Sequence, residues 1–350
     1  MAYISFQPSD FFKALKYSYA SPPNAISGVG FSPNGLVIKS LSGTSGGNNW
    51  YAGSTVGGNT ESLRWNASNG YETSSDSVTA YDSDGFTLGA DSGTGNVNMT
   101  GTNYVSYNWK AGTTSGLSGG TITPSAYSIN TTNGYGIYTF TGTGSNGTIA
   151  HGLGVTPDLV IVKRTDGTAG WIVQHEGMTA DTGVLYLQTT HTEQSEAAMF
   201  NSTRPTSTVF SLGTASETNG SGNEYIAYVW ADIKGYQRMG IYRGNGDVNG
   251  TFVHTGFRPA FLMTKKISAG TGNWIAVDSA RNPANEDTIF QIEANVSTAE
   301  YDSARCDLLS NGFKCRASGS DANGTGEKYI YIAFAEFPLV SSNSKAGTAR

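Results

Sequence analysis

Charge is what this sequence is most short of. Asp, Glu, Lys and Arg make up 14% of its 350 residues, where a soluble domain ordinarily carries about 25%. Its polar surface must therefore be built from Ser, Thr, Asn and Gly, a habit of extracellular and particle-borne β proteins more than of cytosolic enzymes. Cations are also too few for a basic stripe, and the net charge is −6. That argues against nucleic-acid binding, which needs clustered Lys and Arg to displace counterions. No apolar run approaches the roughly 20 residues of a membrane span, so no membrane insertion is expected. The opening Met1-Ala-Tyr-Ile-Ser-Phe-Gln-Pro8 lacks the basic region and apolar core of an export signal. A chain made in a cell and released inside a finished particle would satisfy both observations. Cysteine is nearly missing: Cys306 and Cys315 flank the Asn311-Gly312 turn. Two cysteines cannot staple a chain of this length, and whether they are bridged stays open. Helical periodicity is scarce too; only Ser297 to Leu309 reads as a short helix.

What is present recurs three times. Pro33-Asn-Gly-Leu-Val-Ile-Lys39, Pro157-Asp-Leu-Val-Ile-Val-Lys163 and Pro259-Ala-Phe-Leu-Met-Thr-Lys265 each run from a proline through mostly apolar residues to a lysine. Such a run predicts a short buried strand. A tryptophan follows each lysine, at Trp50, Trp171 and Trp274. A glycine-marked strand then carries Phe86, Phe210 or Phe313. A closing strand ends each unit: Tyr104-Val-Ser-Tyr-Asn-Trp109, Tyr225-Ile-Ala-Tyr-Val-Trp230 and Tyr329-Ile-Tyr-Ile-Ala-Phe334. Proline and closing tyrosine are 71, 68 and 70 positions apart (33 to 104, 157 to 225, 259 to 329). Divergent residues at near-constant spacing mark one structural unit used three times.

The fold class expected is all-β: three tandem antiparallel β-sandwich domains, jelly-roll-like. Residues 1–24 read as an N-terminal arm, 25–111 as the first repeat and 112–133 as a Gly/Ser/Thr linker. Residues 134–235 and 236–338 are the second and third repeats, and 339–350 a mobile tail. Phe11 to Tyr19 reads as a strand, because Gly136-Ile-Tyr-Thr-Phe140 and Gly240-Ile-Tyr242 hold a similar place before the later prolines. The residues before Phe12 have no counterpart and read as an attachment segment. The repeated tryptophans are expected to pack between the two sheets of each sandwich.

Chemistry-bearing motifs are weak by comparison. Gly142-Thr-Gly144-Ser-Asn-Gly147 matches a dinucleotide-binding glycine pattern, but a strand-like stretch follows where a helix N-terminus is needed. Asn245, Asp247 and Asn249 alternate before Gly250 like calcium ligands, yet the twelfth position is Gly256 and not a bidentate Glu. Gly43-Thr-Ser45-Gly-Gly47 and Gly116-Leu-Ser118-Gly-Gly120 match the serine hydrolase elbow by letters alone. The four histidines, His151, His175, His191 and His254, show no zinc spacing. Asp82, Asp84 and Glu176 are the acids weighed for sugar hydrolysis; they are not repeated and read as turn residues. Neither catalytic residue, metal nor cofactor is therefore expected. Tyr51, Trp65, Tyr71 and Tyr186 are the aromatics that would stack on a sugar if exposed.

Gly28-Val-Gly-Phe31-Ser-Pro33, Asp84-Gly-Phe-Thr-Leu-Gly89, Asn103-Tyr-Val-Ser-Tyr-Asn-Trp-Lys-Ala-Gly112, Gly170-Trp-Ile-Val-Gln-His-Glu176, Gly272-Asn-Trp274 and Leu309-Ser-Asn-Gly-Phe-Lys314 resemble a repeated β-sandwich domain family of marine bacteriophage virion proteins. The resemblance covers nearly the whole chain apart from linker and tail. It implies a virion structural protein: a tail, fibre or capsid-decoration component exposed on the particle surface. Its partners would be other virion proteins and copies of itself, and its location the virion assembled in the host cytoplasm. Absence of coiled-coil heptads or a shaft repeat sets the chain apart from long fibres. Alternatives are an adhesion module for host surface glycan and a self-polymerising surface filament.

Overall fold

The computed structural model describes residues 4–42, 49–93, 95–268, 270–285, 289–303 and 305–338. The expected tail and the Gly43–Gly47 motif lie outside them, as do the first three residues of the arm. The described chain is nearly all β, in several antiparallel sheets. Its one α-helix among the described residues is the single turn Ala197–Phe200.

Three large sheets share one strand order. The first runs Phe12–Ser18, Asn103–Trp109, Gly35–Ser40, Tyr51–Ser54, Gly58–Arg64, Glu72–Thr73. The third runs Gln237–Arg243, Lys328–Pro338, Phe257–Lys266, Trp274–Asp278, Phe290–Glu293, Tyr301–Asp302. The second repeats that order from Tyr135–Thr141 through Glu224–Trp230, Leu159–Arg164, Trp171–His175 and Gly183–Tyr186 to Gln194–Ser195, and adds Ala126–Asn130 outside its first strand. In each, the proline-led strand lies between the closing strand and the tryptophan strand.

These sheets are buried on both faces, which is why their strands read as unbroken apolar runs. Side chains alternate across a strand. In Leu159–Arg164, Val160 and Val162 point toward a cluster with Phe210 and Leu212 of the small sheet Gly147–Ala150/Val209–Leu212. Leu159 and Ile161 point the other way, into a cluster built from all three units. Leu36 and Ile38 against Val37, and Leu262 against Phe261 and Met263, divide in the same manner. Three-stranded sheets, Asn24–Ile26/Gly85–Leu88/Val78–Asp82 and Phe252–His254/Gly312–Cys315/Cys306–Leu309, cover the outer faces of the first and third large sheets.

The shared cluster has a centre. Trp109, Trp230 and Phe334 are the equivalent last aromatics of the three closing strands. Their ring centroids form a closed triangle with sides of 6.1, 5.6 and 6.5 Å. Three sheets thus meet face to face around a local threefold axis inside one chain.

Several sequence expectations are corrected here. The presumed arm is part of the fold: Phe12–Ser18 pairs along its length with Asn103–Trp109. The supposed attachment segment is folded back on the chain. Ile4 and Pro8 are buried, and Phe6 packs edge-on against Phe11 and Tyr236. The linker is ordered as well: Ala126–Asn130 pairs with Tyr135–Thr141, and Gly120 bridges to Ile149. The segment expected as a helix near Ser297 to Leu309 instead forms the strands Tyr301–Asp302 and Cys306–Leu309. Pairing with Phe290–Glu293 and Gly312–Cys315 overrides its weak local periodicity. Cys306 and Cys315 face each other in register as buried, free thiols.

Candidate functional site at the seams between sheets

The repeated tryptophans do not pack within one sandwich; they cross to the neighbouring unit. The indole Nε1–H of Trp50 donates to the Glu293 carbonyl at 3.0 Å, that of Trp171 to Arg64 at 2.8 Å and that of Trp274 to Tyr186 at 3.1 Å. First unit reaches third, second reaches first and third reaches second, so the ring of contacts closes. Each acceptor sits in the strand next to its own unit's tryptophan strand. The backbone N–H of each tryptophan is held by an equivalent side-chain amide oxygen, from Asn66, Gln188 and Asn295. All three indoles are essentially fully buried. Large aromatics with a satisfied polar handle suit such seams.

The lysines that end the proline-led runs lie beside them. Lys39, Lys163 and Lys265 are fully buried. Lys39 donates across the seam to the Ser297 carbonyl at 3.1 Å, and Lys163 to Ser68 at 3.2 Å. Lys265 donates to Gly272 within its own unit. Burial lowers the ammonium of Lys39 and Lys265 to about 7 and, with help from nearby Arg164, that of Lys163 to about 8.

A third layer occupies the position four residues beyond each tryptophan: Ser54, His175 and Asp278. Tyr107 donates its phenol across the seam to Asp278 Oδ2 at 2.7 Å. That carboxylate also takes the Arg281 Nε at 2.6 Å, and both charged side chains are fully buried. His175 meets the Tyr331 carbonyl through Nε2 at 3.2 Å while Nδ1 accepts the Gly177 N–H. Burial pushes its imidazole down to about 3, so it stays neutral. These groups already have partners, and their arrangement holds sheets together.

One repeated device escaped the sequence reading. Asn98, Asn219 and Asn323 stand six residues before the closing tyrosines and are buried. Asn219 Nδ2 donates to the Ser145 and Gly213 carbonyls, and its Oδ1 accepts the Thr143 N–H. Asn323 Nδ2 holds Asn245 Oδ1 and the Asp247 and Ala317 carbonyls. Asn98 Nδ2 holds Ala20 and Gly89. The closing tyrosine then accepts a loop N–H, from Met99, Gly220 or Gly324. The shared pattern Asn, a small residue three on and Tyr six on was available in the sequence as its signal.

That clamp accounts for the suggestive loops. The 142–147 loop cannot cradle phosphate with Gly142 and Gly144 N–H groups already donated to Asn223 and Asn219 carbonyls. In the calcium-like loop, Asn245 Oδ1 accepts from Asp247 N and Asn323 Nδ2, and Asp247 Oδ1 from Asn249 N. No group of three His, Cys, Asp or Glu able to hold a metal occurs among the described residues. The Gly116–Gly120 motif lies in a loop without a following helix. Asp84 accepts the Gly28 and Gly30 N–H groups, and Asp82 the Thr87 hydroxyl, so both serve turns. His151 is buried and bonded to the Thr206 carbonyl, whereas His254 is exposed.

The proposed sugar platform does not assemble. Tyr51 and Trp65 are buried, Trp65 stacking on Trp50 at 5.4 Å in the shared core. Tyr71 and Tyr186 are half-buried; Tyr186 lends its carbonyl to Trp274 and turns its hydroxyl to Glu196. Aromatic periodicity alone could not separate a packing ring from a stacking one.

The family described as Domain of unknown function (DUF7483) matches residues 7–338, which takes in all three units and the folded arm from Gln7 onward. No curated protein matches the chain, and no solved structure does.

Proposed function

We propose a non-enzymatic structural role for this chain, which belongs to that family. The reading is of three tandem β-sandwich modules, jelly-roll-like, fused around one core as a component of a phage particle surface, whether tail, fibre or capsid decoration. The cyclic set of indole-to-carbonyl bonds carries it: Trp50, Trp171 and Trp274 all serve cohesion, and none faces a substrate cleft. A body so interlocked, with little surface charge, suits a rigid building piece. Nothing in the geometry favours the glycan-binding or filament readings. Two of the four candidate aromatics are buried, and cations stand on two of the sheet edges, Phe12–Ser18 and Gln237–Arg243. Mass spectrometry of purified particles, followed by electron microscopy with a labelled chain, tests the proposal. Absence of the chain from the particle would overturn it.

A further inference from the structure

The second unit carries a set of acids that packing does not require. Asp158 Oδ2 accepts the Asp232 N–H at 2.6 Å. Asn34 does the same job in the first unit, its Oδ1 accepting the Ala111 N–H at 2.8 Å. Glu176 N–H donates to the Asp158 carbonyl at 2.8 Å, where Thr55 and Ser279 make the matching bond in the other units. Neutral residues thus fill two of these positions elsewhere, and the charges of Asp158 and Glu176 are surplus to the shared fold.

Those acids border a cavity of about 270 Å³ lined by Thr156, Pro157, Asp158, Gln174, Glu176 and Arg204 among others. Gln174 is 2% exposed. Its Nε2 donates to the Thr203 carbonyl, and its Oε1 has no partner. An orphaned buried acceptor is costly unless something donates to it. Asp158, Glu176 and Asp232 form no ion pair among the described residues. Arg204, on the same wall, spends its nitrogens on Asp181 and on the carbonyls of His175, Glu176, Met178 and Ala180. Desolvation, and then repulsion among the acids, raise Asp232 and Glu176 above their ordinary values, only partly offset by the Met239 N–H bonded to Asp232 and by Arg238 and Arg204. The wall therefore offers acceptors and negative charge. Its volume lies just under the roughly 300 Å³ at which drug-sized ligand sites begin, so the occupant is a small group.

We propose that this cavity binds a small organic cation that donates hydrogen bonds, an alkylammonium or guanidinium group, with Glu176, Asp158 and the Gln174 Oε1 as its acceptors. Charge-assisted bonds to carboxylates are the strong ones, and a planar guanidinium matches them in pairs.

Calorimetric titration of the full chain at pH 8 and low salt tests this, with agmatine as probe and sorbitol and calcium as comparators. Saturable agmatine binding is expected, with no sorbitol or calcium binding at equal concentration. The double variant Glu176→Gln/Asp158→Asn keeps an acceptor for the Asp232 N–H, as Asn34 does for Ala111 in the first unit, and should weaken agmatine at least tenfold while leaving the melting temperature near that of the parent. Gln174→Met should weaken it several-fold. Failure of agmatine to bind, equal binding of sorbitol or calcium, or unchanged affinity in the double variant would overturn the proposal.

Discussion

The Trp171 indole N–H lies 2.8 Å from the Arg64 carbonyl, joining residues 107 positions apart and two different sheets. Trp171→Ala should remove this bond and open a void in the shared core, at a cost of about 3–5 kcal/mol. Trp171→Phe keeps most of the ring but orphans the carbonyl, and should cost about 1–3 kcal/mol. Because one core joins all three units, urea unfolding of the parent should show a single transition by fluorescence and far-ultraviolet dichroism. Two resolved transitions would mean that the units fold independently.

The seam lysines make stability depend on pH in a definite direction. Folded-state values near 7 or 8 lie below the unfolded value of about 10.4. Between these limits the unfolded chain binds more protons, so stability rises with pH, and below about 7 the full cost is present. Each lysine contributes a slope of at most about 1.4 kcal/mol per pH unit. Urea midpoints should climb from pH 7 to 9, before tyrosine ionisation in the unfolded chain opposes the trend. Lys265→Met should flatten part of that climb; a midpoint that falls over this range contradicts the assignment.

Asp278 and Arg281 are a buried ion pair whose loss should be lopsided. Asp278→Asn leaves the buried Arg281 guanidinium with only the longer 3.5 Å contact to Glu300 as counter-charge, at about 3 kcal/mol. Tyr107→Phe removes one hydrogen bond to the carboxylate, at about 1–3 kcal/mol. A double-mutant cycle should find the two changes coupled; strict additivity would show that the seam bond contributes nothing.

The open edges carry a different expectation. Phe12–Ser18 and Gln237–Arg243 lie at sheet edges and bear Lys13, Lys16, Arg238 and Arg243. Their equivalent Tyr135–Thr141 is covered by Ala126–Asn130 and bears no charge. Cations on an uncovered edge discourage strand pairing between molecules. Replacing Lys13 and Lys16 by threonine should raise the mean mass with concentration in sedimentation, while the parent's stays constant. Equal behaviour of the two would remove the protective role.

Strand positions were legible because the repeat fixes them three times over. The runs after Pro33, Pro157 and Pro259, the tryptophans and the closing strands all fall where spacing placed them. Phe12–Ser18 was also visible as a strand, though its sheet was not. The glycine and calcium-like loops lacked, already in sequence, the helix or the acid they needed, and their polar groups are bonded within the clamp. The Asn98, Asn219 and Asn323 clamp was missed because asparagine in a glycine-rich loop looks like any turn residue until its bonds are traced.

Local pattern thus decided that this chain would form short strands, and that one plan would be used three times. An unbroken apolar run also announced burial on both faces. Tertiary structure alone decided what lies against the second face. Alternation separates the two sides of a strand but does not say whether the far side meets its own unit or another. Only the closure of three sheets around Trp109, Trp230 and Phe334 sends each tryptophan into its neighbour. Likewise, only folding brings Asp158 to line one cavity with Gln174 and Glu176.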